Sequence, residues 1–83
     1  MTLMGLAKTE AEIAQRASRY LKAELKRAGV TYEELARRLK DHGLADETQD
    51  SIKAKLKRGT FASTFLIAAL VAIGAEVVKL EDI

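Results

Sequence analysis

The sequence predicts an all-α domain built on a helix-turn-helix, and three observations carry that prediction. First, Ala, Leu, Lys, Glu and Arg dominate, aromatics are only 5%, and proline is absent. That composition favours helix over strand and forces no break inside a helical pattern. Second, apolar residues recur at spacings of three and four between Thr-led capping signals and single glycines. Third, residues 30–59 read VTYEELARRLKDHGLADETQDSIKAKLKRG. Two amphipathic segments, each ending in glycine, flank Leu44-Ala45-Asp46, the pattern of two helices joined by a tight turn.

Eighty-three residues make one small domain, 1–83, of four or five helices. A chain this short buries only about 60% of the surface its unfolded form exposes, so good packing or oligomerisation matters. Without cysteine there is no disulfide and no thiolate metal site, and a reducing compartment fits. Net charge is only +2, yet residues 16–58 hold twelve Lys/Arg against seven Asp/Glu. The basic excess sits on the central helices, as a nucleic-acid footprint would. The opening MTLMGLAKTE reads as no signal peptide. The apolar run from Phe65 to Ile73 is far short of the ~20 residues that span a bilayer. A cytoplasmic protein without a membrane partner is expected.

Residues 1–8 are expected to be frayed. Thr9 and Glu12 form a capping box, and the first helix runs over 9–28 to Gly29. Ile13, Ala17, Tyr20, Leu21, Leu25 and Ala28 make its apolar stripe. Lys22, Lys26 and Arg27 suit its C-terminal dipole. Its first half is expected to project beyond the minimal core.

Thr31 and Glu34 form a second box, and the second helix covers 31–42, stopped by Gly43. Tyr32, Leu35, Ala36 and Leu39 face inward. Arg37, Arg38 and Lys40 face outward.

The third helix covers 46–58, with Asp46 as cap and Gln49 at N3, or Thr48 as the alternative cap. Ile52 and Leu56 point inward. At 100° per residue Asp50, Lys53, Ala54 and Lys57 then point outward, with Ser51 and Arg58 on the margin.

Thr60 caps a fourth helix over 60–73, which carries no charge and is apolar almost all round. Three other helices cannot cover every face of it, so a homodimer through this helix and the C-terminal tail is expected. Val77, Val78 and Leu80 allow a short strand at 76–80 that pairs with its twin.

The order of these pieces resembles the Cro/lambda-repressor-like class of bacterial and phage DNA-binding domains. The matching residues are Val30-Thr31-Tyr32-Glu33-Glu34-Leu35-Ala36, Leu56-Lys57-Arg58-Gly59 and Ala72-Ile73-Gly74. The chain looks most like a small uncharacterised bacterial subfamily with a Lys-Arg-Gly-Thr-Phe signature, Lys57 to Phe61 here. The resemblance implies a third helix that enters the major groove of double-stranded DNA. It assigns base-facing roles to Gln49 and Lys53, and after them to Thr48 and Ser51. Gln reads adenine bidentately and Lys donates to guanine O6 and N7. Lys57 and Arg58 would grip phosphate, as would Arg37, Arg38 and Lys40, with the N–H groups near Thr31 and Tyr32 meeting another. From Leu35 to Gly59 the chain is about two helical turns longer than the usual pattern of the class, so both helices of the motif are expected to be extended.

The function implied is duplex binding by a small transcriptional regulator. Asp46, Glu47 and Asp50, which crowd the start of the third helix, favour an alternative: the same fold as a protein-interaction or oligomerisation module. A solvated face is the plainer reading of the basic residues. His42 is the only histidine and lies at a helix end; no nucleophile or base pattern accompanies it, so no enzyme, metal site or cofactor is expected. Phe61 and Phe65 are expected in the core.

Overall fold

Thr9 starts the first helix because its hydroxyl accepts the Glu12 N–H at 3.1 Å, satisfying a donor that has no partner within the helix. The computed structural model describes residues 9–83. It contains four α-helices: α1 (Glu10–Ala28), α2 (Tyr32–Leu39), α3 (Gln49–Arg58) and α4 (Ser63–Ala72). Two 3₁₀ turns, Lys40–His42 and Leu80–Asp82, complete the described elements. The expectation for residues 1–8 lies outside the described residues.

The all-α class is the observed one. α2 packs on α3 and α4, and α1 packs across both. The core draws on every helix: Leu21 and Leu25, Leu35 and Leu39, Ile52 and Leu56, Phe65 and Ala69. Phe61 is half-buried and meets the Phe65 ring edge-on, with centroids 5.4 Å apart. On α1, Leu21 and Leu25 are buried and Ala17 and Tyr20 half-buried, while Ile13 and Ala28 are exposed. Ser18 is buried instead. Its hydroxyl donates to the Leu56 carbonyl, one of the last four carbonyls of α3 that lack a helical partner. The first half of α1 therefore does not simply project: it seals the end of α3.

Several sequence expectations are corrected. The motif's helices are short, eight residues in α2 and ten in α3. The extra length lies between them, in a 3₁₀ turn and a loop spanning 40–48, where a tight turn would use about three or four residues. Residues 40–42 tighten to 3₁₀ before Gly43, whose φ of 86° turns the chain out of the helix. α3 is capped by Thr48 and not by Asp46. The Thr48 hydroxyl accepts the Ser51 N–H, and the Ser51 hydroxyl accepts the Thr48 N–H. A serine can therefore close a capping box from N3.

α4 starts at Ser63, and its N-cap Ala62 offers no side-chain bond. Thr60 does not cap it because the helix starts three residues later; its hydroxyl instead accepts from Arg58 Nε at 3.2 Å. No strand forms among the described residues. The backbone at Lys79 is extended, but a lone segment has no ladder partner, and the chain closes into the 3₁₀ turn.

Candidate nucleic-acid interface

α3 presents its outer face because Ile52 and Leu56, four residues apart, are fully buried beneath it. Gln49, Asp50, Lys53, Ala54, Lys57 and Arg58 are all exposed on the helix so anchored. Lys53 and Lys57 make no ion pair among the described residues. Gln49 stands at the first helical position beside them, and Asp50 is the one acid within the helix. Thr48 and Ser51 are exposed or half-exposed at the same end, but their hydroxyls are spent on each other's backbone. They position Gln49 and have less to offer a base edge.

Glu47 is only half-exposed. It accepts from the Ser51 hydroxyl at 2.7 Å and pairs with Lys55 Nζ at 2.9 Å. Burial pushes its carboxyl upward, and the hydrogen bonds from Ser51 and Lys55 outweigh that, so its pKa lies below the usual carboxylate value. The Lys55 ammonium also sits 5.6 Å from the centroid of the Phe65 ring. One of the three acids at the start of α3 is thus neutralised from within the fold. Sequence reasoning missed this cluster. The available signal was the place of Lys55, three residues after Ile52 and one before Leu56, on the rim of the buried stripe. Nothing local pointed to Glu47 as its partner.

The second helix supplies less free charge than its sequence suggests. Arg37 and Arg38 both hold Glu34, Arg37 through Nε at 3.0 Å and Arg38 through Nε at 3.0 Å. Hydrogen bonds from Arg37 first and Arg38 second hold the Glu34 carboxyl below its ordinary value, and the same pairing raises Arg37. Arg38 further donates to the Ala72 carbonyl at 3.0 Å, which caps the C-terminus of α4. The Thr31 hydroxyl accepts the Glu34 N–H at 3.1 Å. Lys40 is exposed in the 3₁₀ turn and makes no ion pair among the described residues. Arg58, half committed to Thr60, lies at the far end of α3.

The structure therefore brings Gln49, Lys53 and Lys57 onto one helix face, sets Thr48 and Ser51 beneath its start, pairs Arg37 with Glu34 within α2 and ties Arg38 to α4. Among the described residues no group of three His, Cys, Asp or Glu is placed to hold a metal ion. No helix among them is long and apolar enough to cross a membrane.

The sequence profile of one protein family, described as Domain of unknown function (DUF6471), matches residues 13–78. No curated protein and no solved structure matches the chain.

Proposed function

We propose that this chain, which belongs to the DUF6471 family of domains of unknown function, is a helix-turn-helix-type protein that binds double-stranded DNA as a small cytoplasmic transcriptional regulator. The observation that carries the reading is the outer face of α3. Gln49, Lys53 and Lys57 stand exposed on a helix held rigid by Ile52, Leu56 and its capping box. Gln and Lys suit adenine and guanine edges, and uncompensated lysines suit phosphate. The helix order, with α3 packed across α2, supports placement in the Cro/lambda-repressor-like class. The loop over 40–48 sets α3 farther along the chain from α2 than a tight turn would.

A homodimer through α4 and the tail is part of the same reading. Ile67 and Val71, four apart on α4, are 61% and 52% exposed, and Val77, Val78 and Leu80 are exposed beyond them. That apolar face also supports a second reading, an oligomerisation or protein-interaction module that does not bind DNA.

The test is fluorescence anisotropy of a labelled random duplex across a salt series. Binding that weakens linearly in log salt, with a slope of several units, is expected. Lys53→Glu and Lys57→Glu should abolish it. A parent protein that fails to bind at low salt, or either variant binding as tightly as the parent, would transfer support to the interaction module.

A further inference from the structure

We propose that the seam between α1 and the C-terminal end of α3 is a clamp for one backbone phosphate of the duplex, made by Arg19 and Lys22 of α1 with Lys57 of α3. This rests on the duplex-binding reading above and adds a third helix to the contact. A groove of about 220 Å³ runs along this seam, with Gln15, Arg19 and Lys22 on one wall and Lys57 on the other. That volume is below the roughly 300–1,000 Å³ of a small-molecule pocket, and it suits a single anionic group.

Three cations line the groove and no carboxylate does. None of the three has an ion pair among the described residues. The neighbouring face of α1 is different. There Arg27 pairs with Glu24 at 2.7 Å, and the adjoining groove also holds Asp82. Arg19 borders both grooves, while Lys22 and Lys57 border only the one at α3, which holds no acid. Like charges converging without a counter-ion repel, and a bound phosphate relieves that repulsion.

The floor is built for close approach. Ser18 bonds the Leu56 carbonyl, and Gly59 is buried against α1. A Cβ on Gly59 would stand 3.6 Å from the Ala14 carbonyl oxygen, so the two backbones nearly touch there. The two helices are held together at the point where their cations face the same space. Lys57 belongs both to this groove and to the outer face of α3, so a strand contacted by α3 continues into the seam.

The experiment compares the parent, R19Q/K22Q, K53Q and K26Q on the labelled random duplex across the salt series, with circular dichroism melting to confirm folding. Lys26 is exposed on α1 but does not line the groove. R19Q/K22Q should lower the log–log salt slope by about 1 unit, the loss of about one phosphate contact, and K26Q should not change it. A double variant with the parental slope, while K53Q loses slope, would overturn the clamp and leave duplex binding standing. An equal loss in K26Q would overturn the clamp in favour of diffuse charge. A parent that does not bind duplex overturns both readings. Saturable shifts of the Arg19 and Lys22 amide resonances with micromolar inorganic phosphate alone would overturn the DNA backbone as the source of the anion.

Discussion

Ser18 is the one buried polar residue among those described, and its position explains why. The last carbonyls of a helix need partners from elsewhere, and Leu56 receives its hydrogen bond from a side chain 38 residues away in sequence. Ser18→Ala leaves that buried carbonyl unpaired and should destabilise the fold by about 1–3 kcal/mol, read by urea denaturation. Glu47 carries a pH signature. Its pKa is lower in the folded chain than in the unfolded one, so its contribution is complete above the unfolded value of about 4.3. That contribution is lost as pH falls through the lower folded value. Glu47→Gln should therefore be less stable than the parent at pH 7, with the gap closing towards pH 3 in a series of urea melts. Glu34, also shifted down, keeps part of the acid sensitivity in the variant.

At the level of the element, α3 is a short helix held at both ends by different means. A Thr48–Ser51 box closes its start, and Gly59, at φ 81°, closes its finish with its N–H on the Lys55 carbonyl. Most residues are strained in that left-handed conformation, while the space around the missing Cβ is ordinary contact distance. Gly59→Ala should thus cost about 1–2 kcal/mol from backbone strain alone. Gly43→Ala, at φ 86° with open space around it, should cost about the same in a parallel thermal melt. A much larger loss at Gly59 would mean that the α1 backbone cannot accommodate the methyl group. α4 has no charged residue, and its end is held from outside by Arg38, which also spans Glu34. One arginine so joins α2 to α4, which removes it from the free basic surface.

Over the whole molecule, α1 and α2 cover one side of α4 and leave Ile67 and Val71 open. The core is small, and burying those side chains in a second copy would add apolar area that a chain of this length needs. Ile67→Lys should shift sedimentation from dimer to monomer at micromolar concentration and leave the helical circular dichroism signal intact. A parent that sediments as a monomer would count against the dimer. The same scale decides the charge pattern. The cations of α2 are engaged, Arg37 with Glu34 of the same helix and Arg38 with Glu34 and the end of α4, while Lys53 and Lys57 on α3 make no ion pair among the described residues.

The sequence by itself determined the helical class, the threonine starts at Thr9 and Thr31, the glycine stops, and the inward faces of α2 and α3. All of these depend on contacts within about four residues, which periodicity and capping chemistry record directly. It also separated Lys53 and Lys57 from the buried stripe, since angular position on a helix is a local property. Only the tertiary structure decided which polar groups remain free. The Ser18–Leu56 and Arg38–Ala72 bonds join residues 38 and 34 positions apart, and the Glu47–Lys55 pair depends on how a loop folds back on its helix. The loop at 40–48 and the missing strand had the same origin. Their outcome turned on what packed beside them, and no residue spacing encodes that.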